Sequence, residues 1–201
     1  HDSRGLSISY GGLSRAALRA GDDVLAKKCA ESVIRLSRET NDPRGLTAGL
    51  VYRGDALRCI AHKKLETAAL VSGSMRRTTR QALRLLVAAR EDYLAAAARS
   101  PDAVFQLNAS LGLALVHYLL GETESAKAEL VRARRYYAQQ DGYYPDIEEP
   151  LRELSALLEE GDSSAAPLLR LSVHVQQTVG NQRRAAELES AKKVQASFLP
   201  A

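Results

Sequence analysis

Two stretches of the sequence share one arrangement of small and large side chains: Leu13–Ala30, LSRAALRAGDDVLAKKCA, and Leu113–Leu130, LALVHYLLGETESAKAEL. Leucine and alanine recur at spacings of three and four on both sides of a central glycine, Gly21 or Gly121, as in amphipathic α-helices. A glycine directly after such a run favours a helix C-terminus. Each stretch therefore predicts a helix, a tight turn and a second helix.

The positions that coincide when the two glycines are aligned are small or aliphatic. They pair Leu13 with Leu113, Ser14 with Ala114, Ala26 with Ala126, Ala30 with Leu130, and Val33 with Ala133. Small side chains at these offsets allow two helix backbones to approach closely. A weaker third unit lies between the two, with small or apolar residues at Gly54, Ala61, Ala82, Leu86 and Ala89.

This spacing resembles the tetratricopeptide repeat, a helix–turn–helix unit that stacks into a curved array. The resemblance covers about residues 6–140, and no unit has the full signature. It implies an all-α fold with a degenerate repeat stack over residues 6–160 as the regulatory domain. An unrelated helical bundle is the alternative, because leucine and alanine at helical spacing occur in any all-α core.

Breaks in the periodic pattern give the predicted limits of the helices. Asp22-Asp23 and Asp102 are expected N-caps, since aspartate side chains accept bonds from free amides there. Residues 62–79, around Ser72-Gly73-Ser74, predict an insertion or a long loop with a helical turn in it. The other predicted helices span residues 13–20, 22–40, 44–61, 80–99, 102–120, 122–140 and 146–160, and a long last helix spans 167–198.

The composition predicts a cytoplasmic protein. Hydrophobic residues form 45% of the chain and charged residues 26%, and no run is long enough to span a membrane. The net charge is +4, with arginines clustered at residues 76–80 and 132–135. Few aromatic residues lie among these arginines, so we expect solvated helix faces and no nucleic-acid or membrane partner. Residue 1 is His and the only methionine is Met75, so we expect the chain to belong to a longer protein.

No catalytic or metal site is expected in this chain. The four histidines, His1, His62, His117 and His174, lack the spacing of helical metal ligands. Cys29 and Cys59 predict reduced thiols. Glutamates 148, 149, 153, 159 and 160 are typical of a solvated face. We therefore expect no catalytic residue, no metal ligand and no cofactor here.

The first helices of stacked pairs usually form a concave surface that binds peptides or helices. In this chain the predicted surface has a basic bias at one end, which suits an acidic segment of a partner or of the same protein. Its predicted residues are Arg15, Arg19, Val51, Asp55, Arg58, Asn108, Leu111, Leu115 and Tyr118.

Residues 167–199 have a narrower apolar stripe than the preceding helices. Such a stripe on a long helix predicts a coiled-coil seam, interrupted at Gly180, and hence a homodimer through this helix. The predicted seam contains Leu168, Leu171, Val175, Val179, Leu188, Ala191, Val194, Phe198 and Leu199.

The last part of this stripe, ELESAKKVQASFLP at residues 187–200, resembles the helix that precedes the catalytic domain in bacterial serine/threonine phosphatases of the SpoIIE/RsbU type. The family pattern has Glu-Leu, then a small residue, an aliphatic residue followed by Gln, and two large apolar residues before Pro. Phe198 satisfies the large apolar position, although leucine is commoner there. The matching positions are Glu187, Leu188, Ala191, Val194, Gln195, Phe198, Leu199 and Pro200.

The resemblance implies a regulatory and linker region, without activity of its own, of a metal-dependent phosphatase. Mn²⁺ or Mg²⁺ would be bound in a catalytic domain after Ala201, and the substrate would be a phosphorylated protein of sigma-factor partner switching. Nucleotide cyclases also have a signalling helix ending near Leu-Pro, so the sensor arm of a cyclase is one alternative. A stand-alone scaffold with a dimerisation helix is another.

Overall fold

The computed structural model describes residues 2–70, 75–140 and 145–159, and the regular secondary structure in these ranges is entirely α-helical. The all-α prediction is therefore confirmed. The helices are α1 (Ser3–Arg19), α2 (Asp23–Glu39), α3 (Pro43–Leu70), α4 (Met75–Arg99), α5 (Ala103–Leu119), α6 (Thr123–Tyr137) and α7 (Pro145–Glu159).

The predicted turns and caps form as the sequence indicates. Gly21 and Gly121 both have φ of +77°, a left-handed conformation that glycine adopts without a steric penalty. Asp22 caps α2 by accepting a 3.0 Å hydrogen bond from the amide of Leu25. Asp102 caps α5 in the same way, since its carboxylate accepts from the amide of Val104 at 2.9 Å.

The prediction of an irregular segment over residues 62–79 is wrong for residues 62–70 and 75–79. α3 continues to Leu70 and α4 begins at Met75. Leu65 packs against the core that contains Leu57, Ala61 and Ala82, so the apolar stripe of α3 extends beyond the predicted end. The intervening KKLETAA also consists mainly of good helix formers. Ser72-Gly73-Ser74 lies outside the described residues.

Consecutive helices pack in antiparallel pairs. In the first pair, Ser7 near the start of α1 lies 3.2 Å from Ser37 near the end of α2. Ser14, later in α1, donates a 2.9 Å hydrogen bond to the carbonyl of Ala26, early in α2. The small and aliphatic positions that coincide in the sequence are all buried, namely Leu13, Ser14, Ala26, Ala30, Val33, Leu113, Ala114, Ala126, Leu130 and Ala133.

Tyr93 of α4 fills the space between α3 and α5. Its side chain is fully buried, and its ring lies against Gly54 of α3 and Gly112 of α5. A Cβ atom at Gly54 would lie 2.9 Å from the ring atoms Cε1 and Cζ, and one at Gly112 would lie closer still. The three helices can therefore surround this ring only because both positions lack a side chain.

We predict that Gly112→Ala destabilises the protein by about 1–3 kcal/mol, because the added methyl group overpacks the Tyr93 ring. Gly12→Ala is the matched control: it is also helical, and a Cβ there meets nothing within 4 Å. Since alanine favours helix, the control should stabilise by about 0.5–1 kcal/mol. Urea unfolding followed by circular dichroism measures both. Equal effects of the two substitutions would contradict this packing.

Candidate functional site

A cluster of polar side chains lies where α3 meets α4 and α1. The hydroxyl of Tyr93 donates a 2.7 Å hydrogen bond to Oδ1 of Asp55. The guanidinium of Arg58, one helical turn after Asp55, lies 3.7 Å from the same oxygen. Arg15 of α1 is close enough to stabilise the Asp55 carboxylate electrostatically. We call Arg15, Asp55, Arg58 and Tyr93 the polar cluster.

The guanidinium of Arg58 keeps unused hydrogen-bonding capacity. Its side chain is 17% exposed, and its Nε atom is buried and has no hydrogen-bond partner among the described residues. Burial raises the pKa of the Asp55 carboxyl, although Arg58 and the Tyr93 hydrogen bond act in the opposite direction. The guanidinium of Arg58 thus has both the Asp55 carboxylate and the Tyr93 hydroxyl as partners, and its buried Nε is the donor that remains unpaired within the described ranges.

A second ion pair connects α3 to the first helix pair. Nζ of Lys63 lies 2.6 Å from Oδ2 of Asp23 and donates a 2.7 Å hydrogen bond to the carbonyl of Gly21. Burial raises the pKa of Asp23, and Lys63 opposes that shift. Cys59 lies nearby, and burial raises the pKa of its thiol as well. Both cysteines are free thiols, as the sequence predicted.

The structure brings together only part of the predicted concave surface. Arg15, Asp55 and Arg58 meet in the polar cluster. Arg19 is partly exposed on α1, and Asn108 donates a 2.7 Å hydrogen bond to the carbonyl of Val104 in its own helix.

The apolar members of that surface are core residues. Val51 packs with Ile34, Leu50 and Ala96. Leu111 and Leu115 lie in a buried cluster with Leu151, Leu154 and Leu158 of α7, and Tyr118 packs against it. α7 therefore covers the α5 end of the predicted surface, and the accessible part is the α1–α3 end.

Sequence reasoning missed Tyr93, Lys63 and Asp23 as partners of the predicted residues. The signal for Tyr93 was present in the glycines of α3 and α5, since a glycine inside a helix often marks close packing. Nothing in the local spacing relates Lys63 to Asp23, because these residues are 40 positions apart along the chain.

The predicted coiled-coil seam is not described by the structure. All nine of its predicted residues, from Leu168 to Leu199, lie outside the described residues.

His117 is hydrogen-bonded at 2.5 Å through Nδ1 to Glu122. Among residues 2–70, 75–140 and 145–159, no group of three His, Cys, Asp or Glu side chains could hold a metal ion. In the same ranges, no helix has the length and apolar character of a membrane span.

No family model matches the sequence, and neither a curated protein nor a solved structure matches it.

We predict that Tyr93→Phe destabilises the protein by about 1–2 kcal/mol, because it removes the hydrogen bond to Asp55 and leaves a half-buried carboxylate with one partner fewer. Tyr52→Phe is the matched control, since the Tyr52 hydroxyl makes no hydrogen bond in the described part of the chain. The control should change stability by less than about 0.5 kcal/mol. Chemical denaturation compares the two, and equal losses would contradict the assigned role.

Proposed function

We propose that this chain is a protein-binding regulatory module that controls a serine/threonine phosphatase of the SpoIIE/RsbU type through its C-terminal segment. The observation that carries the proposal is the sequence at residues 187–200, which matches the pre-catalytic helix of that family at eight positions, from Glu187 to Pro200. The all-helical architecture supports it, because stacked helix pairs are common protein-interaction scaffolds.

The polar cluster lies on the accessible part of the predicted concave surface. Arg15 of α1 is exposed, and it lies beside Arg58 of α3, whose side chain is 17% exposed. A carboxylate can accept two parallel hydrogen bonds from a guanidinium, which fixes its orientation as well as its charge. We therefore propose that an acidic segment of a partner protein binds at the α1–α3 end of the stack.

The regulatory step is a change in how residues 167–199 pair or dock when that partner binds. Coupling between two sites typically amounts to about 1–3 kcal/mol. A seam interrupted by Gly180 could respond to a coupling of that size, because glycine lowers helix stability by about 1 kcal/mol relative to alanine. The Mn²⁺ or Mg²⁺ of the phosphatase would belong to its catalytic domain.

We predict that Val194→Asp or Phe198→Asp in the full-length protein separates phosphatase activity from its activating partner, since a charge within the seam prevents helix pairing. Ala196→Asp is the matched control, because the predicted helical spacing would place position 196 on the side away from Val194 and Phe198. The measurement is phosphatase rate with and without partner. Normal regulation in both seam variants, or a full-length protein without phosphatase activity, would contradict the proposal.

We also predict that the 201-residue chain is a dimer and that a chain ending at Ser163 is a monomer, as measured by light scattering. Circular dichroism of the shorter chain checks that α1 to α7 remain helical. Two monomers would contradict pairing through the seam and would favour docking of the segment on the helix pairs.

A further inference from the structure

α4 has apolar side chains on two sides. Its inner side packs against α3 and α5 through Ala82, Leu86, Ala89, Tyr93 and Ala96, which are all fully buried. Its outer side exposes three large aliphatic side chains to solvent, Leu83 at 42%, Val87 at 38% and Leu94 at 52%. An inner stripe alone would be enough to fix the helix in the core, so the outer stripe needs a separate explanation.

The exposed residues of α4 form one continuous stripe. Leu83, Val87 and Leu94 are separated by four and seven positions, which places them on the same side of an α-helix. Arg90 lies between the last two, but its guanidinium is directed toward the α5–α6 turn, 3.9 Å from the carboxylate of Glu122. The stripe extends over about 16 Å at 1.5 Å per residue.

A basic flank runs beside this stripe. Arg77, Arg80 and Arg84 are separated by three and four positions, are exposed, and have no ion-pair or hydrogen-bond partner in the described part of the chain. The acids of α4 do not neutralise them. Asp92 is buried and engaged by Arg53 at 2.6 Å, which leaves Glu91 as the only exposed acid of this helix.

We propose that the outer face of α4, formed by Leu83, Val87, Leu94 and the arginines at 77, 80 and 84, binds an amphipathic helix of a partner protein that carries acidic residues along one flank. The apolar stripe would receive the apolar side of that helix. The arginines would pair with its acids and fix its direction. A partner helix of about 17 residues would cover the face from Arg77 to Leu94.

Charge argues against two occupants that this chain could itself supply, its C-terminal segment and the α4 of a second copy. Residues 160–201 contain four acidic and five basic side chains, so they offer no acidic flank. The α4 of a second copy would offer Glu91 as its only exposed acid. An acidic partner segment complements the face better than either.

The shape of the face favours a helix over an anionic membrane. Helices that lie on membranes usually present a broad apolar side with aromatic residues. The α4 stripe is a single line of three aliphatic residues, and α4 has no exposed aromatic side chain.

This inference goes beyond the proposed function. The outer face lies on the side of α4 away from α3, whereas the polar cluster lies where α3 contacts α4 and α1. The chain would therefore have two independent protein-binding surfaces, and loss of one should leave the other intact.

The test is fluorescence anisotropy of a designed helical peptide of about 17 residues, titrated with the full chain. The peptide has leucines on the side that would contact the α4 stripe and glutamates along one flank of that side. Leu94→Ser with Val87→Ser should weaken binding about tenfold or more, and Arg80→Glu with Arg84→Glu should do the same. Raising the salt from about 50 to about 500 mM should weaken binding to the unmodified chain.

Matched controls come from α6, which also has an exposed valine and an exposed arginine. Val131→Ser with Arg135→Glu should leave peptide binding unchanged. A peptide with lysines in place of the glutamates should bind about tenfold more weakly. Circular dichroism checks that all variants keep their helices.

Four outcomes would overturn the proposal. The first is no binding of the acidic peptide at about 100 µM, and the second is equal peptide binding by the α4 and α6 variants. The third is a change in the solution mass of the chain caused by the α4 variants. The fourth is binding of phosphatidylserine vesicles that the α4 variants abolish while peptide binding persists. The mass change would indicate a contact between copies, and the vesicle result would indicate a membrane surface.

Discussion

The packing of one aromatic ring between two glycines is the constraint on which the middle of the structure depends. Tyr93 enters the core from α4, and both Gly54 and Gly112 leave room only for hydrogen beside its ring. A buried tyrosine also needs a partner for its hydroxyl, because an unpaired polar group in the core is destabilising. Asp55 supplies that partner at 2.7 Å. One side chain therefore fixes the spacing of three helices.

The same contact determines where the functional groups lie. Because the Tyr93 hydroxyl holds Asp55, it also positions the carboxylate that faces Arg58. Farther along α3, Lys63 binds Asp23 and the carbonyl of Gly21, which ties the first helix pair to the second. The polar cluster is thus supported from the core on one side and by the α1–α2 turn on the other. The proposed binding surface at this cluster would therefore be built on helices whose positions the core fixes.

Local signals in the sequence were enough to predict the helix pairs, whereas contacts between distant residues were not predictable. Gly21 and Gly121 mark turns because glycine alone adopts their backbone conformation easily. The serines and glycine at 72–74 predict an irregular segment over residues 62–79. α3 nevertheless continues to Leu70, because Leu65 packs against the core. Of the candidate site, Arg15, Asp55 and Arg58 were predicted from their register, but α7 buries Leu111 and Leu115, which no local pattern indicates.

The most direct test of the central role of Tyr93 is native-state hydrogen exchange of a Tyr93→Leu variant, compared with the unmodified chain. Removing the ring takes away the shared support of α3, α4 and α5. Amide protection should therefore fall together in all three helices and much less at the start of α1 and of α2. A fall confined to α4 would show that the helix pairs hold their spacing without this ring, and would contradict the central role of Tyr93.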